Sequence, residues 1–219
     1  MKREIIITAD GSTTIHLADW NESYHSKHGA IQEANHVFIK MGLALFLNSK
    51  SIALLEVGFG TGLNALLTLM YAEKNNLPVN YEALEAYPLK NNELQSINFP
   101  EQLQLDRSLF DHLHQVEWEL TKQVTPNFTL KKRNQFFHQI SDNSRFDLIY
   151  FDAFGPRVQP ELWTAGVFKL MFQALKPKGV LVTYSSNSNA RRAMQEVGFL
   201  VEKLPGPPGK REMLRAMKP

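Results

Sequence analysis

Leu55-Glu56-Val57-Gly58-Phe59-Gly60-Thr61-Gly62-Leu63-Asn64 joins an apolar run, Ile52 to Val57, to a helix-forming segment, Gly62 to Glu73. An unbroken apolar run of strand length is what a strand buried on both faces requires. The glycines after it let the backbone turn tightly and bring bare amides to a helix N-terminus, where a ligand can lie against them. A dinucleotide fingerprint spaces its small residues G-x-G-x-x-G or A. Here the spacing is G-x-G-x-G, and Leu63 is too bulky for the close helix-to-strand contact of the third small residue.

Working outward, strand and helix patterns alternate. Val79 to Glu85 reads as a second strand, Phe128 to Lys132 as a third and Phe146 to Asp152 as a fourth. Residues 88–124 read as mostly helical, with Pro100 at a helix start. Glu161 to Leu175 is a helix closed by the turn Lys176-Pro177-Lys178-Gly179, and Val180 to Tyr184 is a fifth strand. A helix over Asn189 to Val197 stops at Gly198. Phe199 to Leu204 and Glu212 to Met217 follow without a helix between them, so they form an antiparallel pair. Alternation of this kind predicts a doubly wound α/β fold around a seven-stranded, mainly parallel sheet. Before it, Asp10-Gly11 between Glu4–Thr8 and Thr13–Leu17 predicts a β-hairpin. Ile31, Ala34, Val37, Phe38, Met41 and Leu45 predict one helix with a buried face. The expected organisation is a single domain over residues 1–219, with 1–50 an extension and 51–219 the cofactor-binding core.

The acidic Glu56 opposes a pyrophosphate and suits a cationic ligand. S-adenosylmethionine, with its sulfonium and ammonium and no phosphate, is therefore the expected cofactor. Glu56, Gly58, Phe59, Gly60, Gly62 and Asn64 are the candidate contacts from the loop, with Glu85 and Ala86 at the end of the second strand. A carboxylate at Glu85 can accept both hydroxyls of a ribose. Ligands of open α/β sheets bind beyond the carboxyl ends of the strands, which puts Asp152 over the reacting methyl group and makes it both a candidate cofactor contact and the candidate catalytic residue. Phe154 and Trp163 offer flat surfaces for a base.

Composition narrows the alternatives. There are no cysteines, which excludes disulfides, a catalytic thiolate and thiolate metal sites. The histidines have no partners at ligand spacing, so no metal is expected. No G-x-S-x-G elbow occurs. No stretch approaches the roughly 20 apolar residues that span a bilayer, and the N-terminal apolar run is too short for a signal peptide. A cytoplasmic protein without a membrane partner is the expectation. The net charge of +2 permits a nucleic-acid partner without requiring one.

Four blocks carry a resemblance. They are Tyr24-His25-Ser26-Lys27-His28-Gly29-Ala30 with Glu33 and Val37-Phe38, the glycine loop, Asp152-Ala153-Phe154 with Pro156, Pro160 and Trp163-Thr164, and Gly209-Lys210-Arg211-Glu212-Met213-Leu214. Together they resemble the MnmC/MnmD-type methyltransferase domain that completes 5-methylaminomethyl-2-thiouridine at the tRNA wobble position. The resemblance implies tRNA as partner and 5-aminomethyl-(2-thio)uridine as substrate; some members carry a fused flavin oxidase domain, but this chain resembles the stand-alone methyltransferase domain, so no flavin is expected. It implies substrate contacts at Tyr24, Ser26, Glu33, Phe154, Pro156, Trp163, Lys210 and Arg211, with Lys210, Arg211, Arg191 and Arg192 meeting phosphates. Related methyltransferases hold the adenine amino group with an Asp after the third strand; Asn134 occupies that place here. The alternative reading is a methyltransferase for a small-molecule amine.

Overall fold

The computed structural model describes residues 2–219. The chain opens with a three-stranded antiparallel sheet, β1 (Arg3–Ile7), β2 (Thr13–Leu17) and β3 (Glu22–Ser23), with the expected turn at Asp10-Gly11. Then comes α1 (Ala30–Ala34), which widens into a π-helical turn over Asn35–Lys40. The Met41 amide donates to His36 O across that turn. The extra residue rotates everything after it. The expected single helix ends at Lys40, and Leu45, expected on its buried face, lies in a separate 3-10 turn, Leu43–Phe46, and is 51% exposed, whereas Val37 and Phe38 are buried.

The main sheet follows. Its strands are β4 (Ile52–Val57), β5 (Val79–Leu84), β6 (Thr121–Thr125), β7 (Phe128–Arg133), β8 (Phe146–Phe151), β9 (Leu175–Thr183), β10 (Leu200–Pro205) and β11 (Glu212–Met217). The helices between them are α2 (Leu63–Asn75), α3 (Asn91–Leu94), α4 (Phe99–Gln102), α5 (Arg107–Gln115), α6 (Ala165–Ala174) and α7 (Ser188–Glu196). The strand order is β10-β11-β9-β8-β4-β5-β7-β6. β4 pairs in parallel with β5 on one side and β8 on the other. The chain therefore reverses its direction of winding at β4, which opens a crevice at the carboxyl ends of these strands. Ile52, Leu54, Leu55 and Val57 are all fully buried, each side chain stabilising the fold by about 1.5–3 kcal/mol.

The sheet has eight strands rather than seven. Thr121–Thr125, expected in a helical stretch, pairs antiparallel with β7 across Pro126-Asn127. The Lys176–Gly179 segment is an irregularity inside β9, where the register with β8 shifts, rather than a turn outside the sheet. The terminal hairpin forms as expected, with β11 inserted antiparallel between β9 and β10. No described helix is long and apolar enough to cross a membrane.

Candidate active site

A cleft of about 830 Å³ lies over the carboxyl ends of β4, β5, β8 and β9. Residues 20–38 roof it, together with Lys210 from the loop before β11. Its volume falls in the range of sites that take a cofactor-sized ligand.

The glycine loop forms the floor. Gly58 has φ +99°, and a Cβ there would lie 2.8 Å from the Asp152 backbone oxygen. Only glycine lets the ends of β4 and β8 approach this closely. The loop is braced by two imidazoles. His25 joins the Thr14 hydroxyl at 2.9 Å to the Thr61 hydroxyl at 3.2 Å, and His114 Nε2 donates to Thr61 O at 3.2 Å. Burial holds both rings down to about 4, so they stay neutral. At the end of β5 the Glu85 carboxylate accepts the Gly60 amide at 3.0 Å and the Tyr87 amide at 2.8 Å. Each oxygen keeps a lone pair for a further donor. Arg133 steadies the next loop by pairing with Glu82 at 3.2 Å and Asp142 at 2.8 Å; that loop carries Phe136, Phe137 and His138 into the cleft.

Asp152 follows β8. Burial pushes its carboxyl up to about 7, with the Asn64 hydrogen bond and Lys210 acting the other way and Glu33 adding to the rise. The Asn64 amide donates to Asp152 Oδ2 at 2.8 Å and to Glu56 Oε1 at 2.9 Å. Glu56 has no exposed surface; burial, then the nearby Asp152, hold it well above the usual carboxylate range. It lies beneath the loop, out of solvent.

The roof meets the floor through charge and aromatic contacts. Lys210 pairs with Glu33 and sits 4.0 Å over the Tyr184 ring. Glu33 also accepts the Ser26 amide at 2.8 Å. The Tyr184 hydroxyl donates to Ala153 O at 2.8 Å. Tyr24 and Trp20 both meet the Phe154 ring edge to face, at 5.0 and 5.7 Å.

The cleft therefore brings together Gly58, Phe59, Gly60, Asn64, Glu85, Ala86 and Asp152 from the candidate cofactor set. Tyr24, Ser26, Glu33, Phe154 and Lys210 join them from the candidate substrate set. The other candidates lie elsewhere. Glu56 is covered by Asn64 and does not reach the cleft. Gly62 caps α2 with its back to the cleft, where a Cβ would meet His114 at 2.9 Å. Asn134 is exposed, donates to Glu85 O at 3.0 Å and is not part of the cleft lining. Trp163 is 5% exposed, packed on Phe151, and its indole donates to Phe154 O at 2.8 Å; it is core, not a base platform. Pro156 and Arg211 stay outside the lining, and Lys210 faces the cleft on Glu33 rather than an outer phosphate track. Sequence reading missed His25, Tyr87, Phe136 and Tyr184. Tyr184 was findable, because it ends a strand at the edge where ligands bind. Among the described residues no group of three or more His, Asp or Glu could hold a metal.

The donor set fits S-adenosylmethionine. Glu85 offers two held acceptors to a diol, the glycine loop lies open beside it, and Asp152 gives the centre of the cleft an acid for cationic groups. Comparison with known proteins agrees. Over 214 residues the chain is 30% identical to the tRNA 5-methylaminomethyl-2-thiouridine biosynthesis bifunctional protein MnmC of Burkholderia multivorans, covering 89% of this chain and 32% of that protein. The Hydrogenovibrio crunogenus protein of the same name is 28% identical, over 97% of this chain and 33% of its own length. The chain thus spans about a third of the length of these curated relatives. The crystal structure of MnmC2 from Aquifex aeolicus superposes with a TM-score of 0.83 and 29% identity, covering 98% of this chain and 70% of that one. Spermidine synthase from Thermotoga maritima shares the fold, at a TM-score of 0.61 and 14% identity. The model of one family, S-adenosyl-L-methionine-dependent methyltransferases, matches residues 78–219. The chain belongs to the S-adenosyl-L-methionine-dependent methyltransferase family.

Proposed function

We propose that the chain methylates the primary amine of 5-aminomethyl-(2-thio)uridine at the wobble position of tRNA, giving 5-methylaminomethyl-(2-thio)uridine. One observation carries the reading beyond methyl transfer in general. A carboxyl whose proton affinity lies near neutrality shares the cleft with an aromatic group, Tyr24 and Phe154, that can hold a splayed base. The MnmC relatives and MnmC2 support the choice of acceptor.

When bound, S-adenosylmethionine supplies a methyl group on a cationic sulfur. The chain's residues do the rest, and alignment is the main task because the methyl is already activated. Glu85 accepts the two ribose hydroxyls, its oxygens fixed by the Gly60 and Tyr87 amides. Asp152 orients the acceptor amine and takes the proton that the amine must lose before its lone pair can attack. Phe154 and Tyr24 hold the base while Lys210 and Glu33 close the far side. Exposed Lys27 and His28 at the mouth, with exposed Arg211 outside the lining, meet the RNA backbone.

The test offers methyl-labelled S-adenosylmethionine to tRNA bearing the free aminomethyl group, to the same tRNA already methylated, and to simple primary amines. Label in the first alone is expected. Label in the small amines, with none in tRNA, would overturn the assignment.

A further inference from the structure

We propose that Asn64 is the positioning residue for Asp152: its amide, anchored on buried Glu56, fixes the Asp152 carboxyl in the orientation that receives the amine's proton. This rests on the methyl-transfer reading above. Asn64 is the second residue of α2, just after the glycine loop, and is 5% exposed. Its Nδ2 bridges Glu56 Oε1 and Asp152 Oδ2 at 2.9 and 2.8 Å. An amide NH2 has two hydrogens, and both are used here. Turning the side chain away would break both bonds at once.

The neighbours of Asp152 do not duplicate this role. Glu56, from β4, reaches Asp152 only through Asn64, whose amide it accepts at 2.9 Å. Lys210, from the loop before β11, is tied to Glu33 of α1. Tyr184, at the end of β9, spends its hydroxyl proton on Ala153 O. Among the described residues, Asn64 is therefore the side chain that donates to the Asp152 carboxyl. Of the two carboxyls in the row Glu56–Asn64–Asp152, Asp152 is the one that faces the cleft. A donor to the ionised form favours that form. Without Asn64, Asp152 keeps its proton to higher pH and loses its fixed orientation.

The first readout needs no tRNA. In protein labelled with 13C-aspartate, the Asp152 carboxyl signal, assigned by its loss in Asp152→Asn, is titrated. The unaltered protein should titrate at about 7. Asn64→Ala should move the midpoint up by about 1 pH unit or more, in protein shown by calorimetry to bind S-adenosylmethionine. The acid limb of kcat, measured at saturating cofactor, should move with it, and kcat should fall by about 10²-fold. Asn64→Ser, which keeps a single short donor and serves if the alanine variant does not fold, should give a smaller shift. An unmoved midpoint in a folded variant would overturn the assignment. A shifted midpoint in protein that methylates no tRNA supports the Asn64 clamp and removes only the substrate reading.

Discussion

The two walls of the cleft are built by different means. The floor is local: β4, the glycine loop and α2 are continuous in the chain, and Asn64 reaches Glu56 across only eight residues. The roof is assembled from distant pieces: Lys210 meets Glu33 over 177 residues of chain, and His36 Nε2 donates to Pro205 O over 169. The floor follows from a turn that any such cofactor needs. The roof exists only when both ends of the chain are in place, so it is where substrate choice can be encoded without disturbing the chemistry.

The sharpest way to break this contrast is at Asp152, where the walls meet. Asp152→Ala should lower kcat by about 10²–10⁴-fold and leave cofactor affinity within a few-fold, as read by single-turnover kinetics beside calorimetry. Unchanged turnover would remove the residue from the mechanism. Next in size, Glu85→Ala should weaken S-adenosylmethionine by about 10–100-fold, since hydrogen bonds to a charged group are worth about 1.5–3 kcal/mol. Equilibrium dialysis measures this, and kcat at saturation should change less than affinity.

The roof should respond in stability rather than in cofactor binding. Glu33 and Lys210 side chains are 10% and 32% exposed, so breaking their pair leaves a charge poorly solvated. Glu33→Gln or Lys210→Met alone should each cost about 1–3 kcal/mol, less than a fully buried pair. The double variant should recover part of that in a denaturation cycle. Strict additivity would show that the pair does not hold the two pieces of the roof together.

The smallest effect concerns acid. His25 and His114 titrate near 4 in the folded protein, against about 6.5 for an ordinary histidine. The unfolded chain therefore binds more protons in this window, and stability is lost as pH falls from about 6.5 towards 4. His25→Gln should flatten the fall in Tm over that range. An identical slope would mean that His25 does not brace the loop.

The parts of this molecule that could be read in its sequence are those fixed by neighbours along the chain. The periodicity of Ile52–Val57 and the glycine spacing placed β4, the loop and α2, and with them Glu85 and Asp152 at strand ends. β6 was hidden because Thr-Lys-Gln-Val-Thr is an exposed edge with little apolar content. Its only signal was the Pro126-Asn127 turn beside it. The π-turn after α1 has no signature in the spacing of Ile31 to Leu45. Trp163 looked like a base platform because it follows an aromatic loop, yet its large ring is better buried on Phe151 and Phe168 with its N–H satisfied. The Glu33–Lys210 contact needed the fold itself, since neither residue's local sequence points to the other.

The most direct measurement is mass spectrometry of nucleosides from tRNA carrying 5-aminomethyl-2-thiouridine, after incubation with the protein and S-adenosylmethionine. The account predicts a gain of about 14 Da on that nucleoside, the mass of the added methylene, absent with Asp152→Ala. An unshifted nucleoside, from protein that binds S-adenosylmethionine, would contradict the wobble-uridine assignment.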